Sequence, residues 1–295
     1  MRLFAPRPYR QLLILSGALA LVATICGMVL ARQHPRLTPQ PTSLPTSRIA
    51  GIGLNCHAER LPIADIKSIG ISWVRLDLQG NQYTPDKLKG LVGYYRDFGQ
   101  LWILPQTARD RIETAKTMIA AGITEIEVFN EPDRTNITPE SYAGIFQKIR
   151  AAVAGRARLY GPDVGTQSTD YLDGCIRHGA QFDVIAIHGY NQKSFPSLTN
   201  WTAGIKDYGV PVAVTELGFP TYLGKMPYRV KMRDSLGTLF LKTKNALEDT
   251  PWCWYDGPNP ADDNDSGMFD WVPNRGYVPN RNYRSIRAAL QGAGQ

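Results

Sequence analysis

Glu125-Ile126-Glu127-Val128-Phe129-Asn130-Glu131-Pro132 reads as a short strand that ends on polar, ionisable side chains and turns at a proline into the start of a helix. The same pattern recurs along the chain. Strand-like runs are predicted at 49–55, 72–76, 101–104, 125–130, 158–161, 184–188, 212–216 and 252–255. Helix-like stretches fall between them, at about 60–69, 84–97, 107–121, 138–153, 168–178, 199–208 and 228–248, with a closing helix near 281–292. Thr84-Pro85 and Thr138-Pro139-Glu140 place a cap before a first-turn proline, and Gly70, Gly99 and Gly122 sit where helices should end. Eight βα units with short apolar strands predict an α/β protein, a single (β/α)₈ TIM barrel over residues 49–295. An open doubly wound sheet competes, but no glycine-rich phosphate loop follows the first strand.

Composition agrees with one sizeable core. The chain has 295 residues, 43% of them hydrophobic and 20% charged, with six Trp, 14 Tyr and nine Phe. That is too apolar and aromatic for disorder. The formal charge of +7 is unevenly spread. Six of the 33 basic residues (Arg2, Arg7, Arg10, Arg32, Arg36 and Arg48) lie in residues 1–48, which hold no Asp or Glu; the other 27 face 26 acidic residues. The predicted barrel is nearly neutral and has no global field to draw in nucleic acid, so no nucleic-acid partner is expected.

The basic beginning is a targeting element. Arg2, Arg7 and Arg10 precede an uncharged, largely apolar run at residues 12–31, long enough at helical rise to span a bilayer. Residues 1–31 therefore read as a signal anchor or a cleavable signal peptide, with Val29-Leu30-Ala31 as the candidate cleavage site. Either reading places the barrel outside the cytoplasm, held to the membrane by residues 12–31 if they are retained. Residues 32–48, with Pro35, Pro39, Pro41 and Pro45 among Ser and Thr, form a semi-rigid spacer. Past the apolar run, Cys56, Cys175 and Cys253 are odd in number and read as small buried thiols. Asp262-Asp263-Asn264-Asp265-Ser266-Gly267 lacks the Glu that a calcium loop needs at its twelfth position, which is Pro273.

In such a barrel, functional side chains project from the carboxyl ends of the strands. Those ends supply Asn55, Cys56 and His57, Arg75 and Asp77, Gln106, Asn130 and Glu131, Asp163, His188 and Tyr190, Glu216, and Trp254 with Asp256. Two carboxylates stand out. Glu131 closes the fourth strand, and Glu216, behind Val210-Pro211-Val212-Ala213-Val214-Thr215, closes the seventh. Strands four and seven lie across the rim from each other. Glycoside cleavage uses such a pair, one group protonating the leaving oxygen while the other attacks the anomeric carbon, about 5–5.5 Å apart when configuration is retained.

Asn130-Glu131-Pro132 and Thr215-Glu216-Leu217-Gly218 resemble the acid/base and nucleophile segments of the large clan of retaining (β/α)₈ glycosidases with glutamates on strands four and seven. Within the clan, the chain is similar both to the xylosidase-like and exopolysaccharide-hydrolase group called family 39 and to compact β-1,3-glucanase barrels. The resemblance implies that Asn130 binds the sugar 2-hydroxyl and that Arg75, in Trp73-Val74-Arg75-Leu76-Asp77, keeps the nucleophile ionised. It further implies that His188 and Tyr190 line the subsite beside the nucleophile and that Trp254 is an aromatic platform under the sugar. Asn55, His57 and Gln106 complete the expected substrate-binding set. Gln106 stands where cellulase-like members carry histidine, which argues against a cellulase.

The expectation is a monomeric retaining β-glycosidase, endo-acting on a polysaccharide or oligosaccharide, with Glu131 as acid/base, Glu216 as nucleophile and no metal or organic cofactor. Short βα connections favour an open cleft. A metal-dependent hydrolase is disfavoured, because His34 lies in the spacer and His178 in a predicted helix, leaving only His57 and His188. Two alternatives stay open: a membrane-tethered, non-catalytic glycan-binding barrel, and a transglycosylase using the same residues. Arg75 also has an alternative, as the structural partner of Asp77.

Overall fold

The computed structural model describes residues 35–37, 44, 46–56, 60–77, 84–108, 110–165, 169–189, 195–217, 236–255 and 267–292. The chain divides into two compact units, Met1–Pro35 and Arg36–Gln295. The expected membrane or signal run, residues 12–31, lies outside the described residues, and no helix among those described is long and apolar enough to cross a membrane. Within the second unit, Leu37 of the Pro-rich stretch is buried, and its amide donates to the Tyr208 carbonyl at 2.8 Å.

Strands and helices alternate as β1 (Ile52–Cys56), α1 (Ile63–Ser68), β2 (Ile71–Leu76), α2 (Pro85–Tyr94), β3 (Gly99–Leu104), α3 (Arg111–Ala120), β4 (Glu125–Val128), α4 (Pro139–Val153), β5 (Arg158–Val164), α5 (Asp170–Arg177), β6 (Val184–His188), α6 (Phe195–Lys206), β7 (Val212–Leu217), α7 (Leu236–Ala246), β8 (Trp252–Trp254) and α8 (Arg281–Gly292). Every neighbouring pair is parallel, and β8 pairs back onto β1, closing the eightfold barrel.

Local chemistry explains where the helices begin. The Thr84 hydroxyl accepts from the Lys87 amide at 3.4 Å and the Thr138 hydroxyl from the Ser141 amide at 3.2 Å, each ahead of a first-turn proline. Asp110 Oδ1 accepts from the Ile112 and Glu113 amides at 3.1 and 3.0 Å. Gly70 and Gly122 follow their helices in the left-handed region, as the sequence predicts. Gly99 does not end a helix. It opens β3, where a Cβ would fall 2.8 Å from the Arg48 carbonyl carbon, so its lack of a side chain lets that backbone cross.

Two apolar layers follow from strand alternation. Trp73, Leu101, Tyr160, Val184, Ala186, Ala213 and Cys253 come from six different strands yet pack together with Ile49, which only the barrel interior allows. Residues of the opposite parity, such as Leu54, Val74, Trp102, Ile126, Ile185 and Val214, pack outward under the helices. One inward step further along the strands, above this plug, come Asn55, Arg75, Glu127 and His188. The fold thus places its polar side chains at the carboxyl end of a sealed barrel.

Alternation also corrects the reading of Trp254. Cys253 faces inward, so Trp252 and Trp254 face outward; Trp254 is fully buried, 5.5 Å from the Phe240 ring on α7. It is a packing group and offers no open face to a sugar. Cys56 and Cys253 lie on adjacent strands but with opposite parity, and with Cys175 they are buried thiols outside any disulfide. Between β8 and α8 the chain forms an antiparallel hairpin, β9 (Phe269–Val272) with β10 (Gly276–Pro279), where the sequence suggested only a run into the last helix.

Candidate active site

β4 stops at Val128, two residues earlier than expected, because Phe129 (φ 69°) and Glu131 (φ 46°) take left-handed backbone conformations. These kinks carry Asn130 and Glu131 off the strand and over the barrel mouth. Glu131 then precedes a short 3₁₀ turn, Pro132–Arg134, from which Arg134 Nη1 reaches back to Glu131 Oε1 at 3.2 Å. Arg134 Nη2 also donates to the Gly165 carbonyl at 2.7 Å, tying this turn to the end of β5.

Arg75 is the hub on the opposite side. Fully buried at the end of β2, its guanidinium forms a two-point pair with Glu127, an ion pair through Nη1 with Glu216 Oε1, and an Nη2 contact of 3.1 Å with Asp163 Oδ2. Nη2 also donates to Asn130 Oδ1 at 2.8 Å, which leaves the Asn130 amide nitrogen as that side chain's donor. Asp77, the alternative partner weighed from sequence, is not among these contacts. The planar five-donor guanidinium suits such a fork of acceptors; a lysine cannot reproduce it.

His188 closes the circuit. Its Nδ1 lies 3.0 Å from Glu131 Oε1 and 3.6 Å from Glu216 Oε2, and its Nε2 lies 2.9 Å from Asp163 Oδ2. Strand ends far apart in sequence therefore converge on one imidazole. Glu131 is the most open of the group, its side chain 21% exposed, while His188 is sealed.

Six ionisable side chains share this small volume, and their protonation is mutually determined. Burial favours the neutral His188 ring, but the charges of Asp163 and Glu216 outweigh it and push its pKa well above the usual imidazole range. Burial likewise opposes ionisation of Asp163, yet His188 and Arg75 hold its carboxyl below the usual range. Glu127 goes the other way: burial, reinforced by the Asp163 charge, raises it well above an ordinary carboxyl despite Arg75. The acceptors are met by guanidinium and imidazolium, and no group of three or more His, Cys, Asp or Glu among the described residues is arranged to hold a metal ion.

Other predicted residues fare differently. Asn55 is 1% exposed at the end of β1, in register with Arg75, and neither amide atom has a hydrogen-bond partner among the described residues. Gln106 Oε1 is buried and also unpartnered, while its backbone carbonyl accepts from Arg111. Buried amides of this kind call for water or a ligand. His57 and Tyr190 lie outside the described residues. A cavity of about 280 Å³, lined by Arg48, Arg96, Trp102, Glu125 and Arg158 among others, opens at the amino-terminal strand ends, away from this chemistry.

Sequence reasoning did not give Glu127 a role, though it is the principal partner of Arg75. Its signal was present: a charged residue inside an otherwise apolar strand, two positions after Glu125, faces the barrel interior by alternation.

Residues 97–234 match the family model described as glycosyl hydrolase catalytic core, a span that holds Asn130, Glu131, His188 and Glu216. No curated protein matches the sequence. Among solved structures, a GH128 subgroup I endo-β-1,3-glucanase from Amycolatopsis mediterranei in complex with laminaripentaose is 20% identical, with a TM-score of 0.58 over 81% of this chain and 99% of that one. A subgroup II endo-β-1,3-glucanase from Pseudomonas viridiflava is 20% identical, with a TM-score of 0.56 over 82% and 98%. A glucosidase from Croceicoccus marinus is 12% identical, with a TM-score of 0.59 over 87% of this chain and 70% of that one. These likenesses are likenesses of fold. Together with the family-model match they support a glycoside hydrolase.

Proposed function

We propose that the chain is a retaining β-glycoside hydrolase that cleaves a β-1,3-glucan-type polysaccharide internally, with Glu216 as nucleophile and Glu131 as general acid/base. One observation carries this reading: both carboxyl groups lie within 3.6 Å of the same His188 nitrogen. The separation of those two oxygens is at most the sum of the two contacts, which supports the close pair of a retaining enzyme over the wider pair of an inverting one. A Glu216 oxygen attacks the anomeric carbon as Glu131 gives its proton to the departing glycosidic oxygen. Water, deprotonated by Glu131, then cleaves the glycosyl ester with a second inversion.

Arg75 orients Glu216 through Nη1 and, with Nη2, fixes Asn130 so that its amide donor serves the sugar 2-hydroxyl. The unpartnered amide of Asn55 and the buried Oε1 of Gln106 supply further hydrogen-bonding capacity for sugar hydroxyls. The substrate class and internal cleavage are supported by the glucanases of the same fold. The enzyme acts as a monomer outside the cytoplasm, exported or tethered by residues 12–31, a reading supported by the basic, then apolar, beginning of the sequence.

A 2-deoxy-2-fluoroglucoside with a good leaving group tests the assignment. Mass spectrometry should find the sugar on Glu216, and the product of a natural glucan should appear first as the β-anomer by NMR. Glu131→Gln should slow cleavage by about 10²–10⁴-fold, less for substrates that need no protonation. An α-anomeric first product would sink the retaining mechanism.

A further inference from the structure

We propose that Asp163 is a positioning residue for this reaction: it locks the His188 ring with Nδ1 toward both glutamates and pins Thr215, the residue preceding the nucleophile. The inference rests on the functional reading above. Asp163 is fully buried near the end of β5, and each oxygen has a separate task. Oδ2 lies 2.9 Å from His188 Nε2 and 3.1 Å from Arg75 Nη2. Oδ1 accepts from Thr215 Oγ1 at 2.7 Å.

The ring geometry makes the first contact decisive. Turning an imidazole by half a revolution about its bond to Cβ replaces Nδ1 with a carbon and moves Nε2 as well. The 2.9 Å ion-pair contact at Nε2 therefore favours the orientation in which Nδ1 meets Glu131 at 3.0 Å and Glu216 at 3.6 Å. The second contact acts through the backbone: holding the Thr215 side chain fixes the peptide from which Glu216 projects. The guanidinium, the imidazole and the strand that support the nucleophile thus all reach the same aspartate.

The charges facing His188 are Asp163 on β5, Glu131 after β4 and Glu216 on β7. Behind them stand Arg75 on β2 and Glu127 on β4, with the Cys253 thiol of β8 among the same charges. Asp163 is the nearest of the carboxylates and the one wholly enclosed with the ring. Removing its charge while keeping its shape should let His188 lose its proton at lower pH.

Asp163→Asn keeps the size and tolerates the left-handed backbone at this position (φ 47°), which Asn adopts readily. In the full chain, kcat should fall about a hundredfold with KM little changed, and the alkaline limb of the pH profile should move to lower pH. Thr215→Val, which cuts only the Oδ1 contact, should lower kcat by about tenfold without moving that limb. Imidazole NMR of His188 needs no turnover: its titration should shift to lower pH in Asp163→Asn and stay put in Thr215→Val. An unchanged His188 titration in Asp163→Asn, or wild-type kcat in both variants, overturns the proposal. A wild-type chain inert toward every glucan while His188 still shifts overturns the functional reading alone.

Discussion

The carboxyl group of Glu131 rests in space that a side chain on Gly165 would fill: a Cβ there would lie 2.7 Å from Glu131 Cδ and 2.8 Å from Arg134 Nε. Gly165 is held from both sides, its amide donating to Asp133 Oδ1 at 3.0 Å and its carbonyl accepting from Arg134. Gly165→Ala should therefore displace Glu131 while leaving the barrel folded. We expect kcat to fall by about 10²-fold, the usual result of moving a reacting group by about an ångström. The melting temperature should change little. Full activity in this variant would mean that the position of Glu131 does not matter to the chemistry.

Arg75 carries a structural load as well as a functional one. Replacing it with Met strands Glu127 and Asp163, both fully buried, without their common cation. Breaking a buried pair from one side costs about 3–5 kcal/mol, so urea denaturation should show Arg75→Met near the limit of stability. Arg75→Lys restores charge but not the fork to Glu127 and Glu216, and should recover less than half of that loss. If Lys restored both stability and activity, charge alone would explain the site and the bidentate geometry would be incidental.

Trp254 separates packing from binding. Its ring lies against Phe240 and Trp252 beneath α7. Trp254→Phe should lower stability by about 0.5–3 kcal/mol, as core substitutions do, and leave KM for a glucan unchanged. A large rise in KM at wild-type stability would restore Trp254 as a sugar platform.

How far the sequence could be read follows from these residues. Strand order, the caps at Thr84 and Thr138, and the meeting of Arg75, Asn130, Glu131, His188 and Glu216 were legible because they depend on local period and on the rule that barrel sites gather at strand ends. Trp254 escaped the sequence because strand-end position alone does not give the face a side chain takes. In a three-residue strand, which face a side chain takes is decided by its neighbour Cys253. Asp163 appeared only as one polar strand end, since its tie to His188 arises from β5 and β6 lying side by side. The Gly165–Glu131 fit is a contact between two loops, with no periodic signal at all.

The same buried charges set how stability responds to pH. His188 has a folded pKa raised above its ordinary 6.5, so its contribution is complete below that value and is lost as pH rises through the folded pKa. Glu127, raised above its ordinary 4.5, has the same sign: the native state keeps a proton that the unfolded chain has released, and stability declines as pH climbs toward the folded pKa. Asp163 is lowered, so its contribution is present above its ordinary 3.8 and is lost on acidification. Taken by themselves, these three groups favour a stability maximum on the acid side of neutrality. Thermal denaturation at fixed ionic strength should give a melting temperature that falls from about pH 6 to about pH 9. Glu127→Gln, which mimics the protonated acid, should flatten that fall, whereas a curve rising over the same interval would show that the acid and the imidazole are not protonated together in the native barrel.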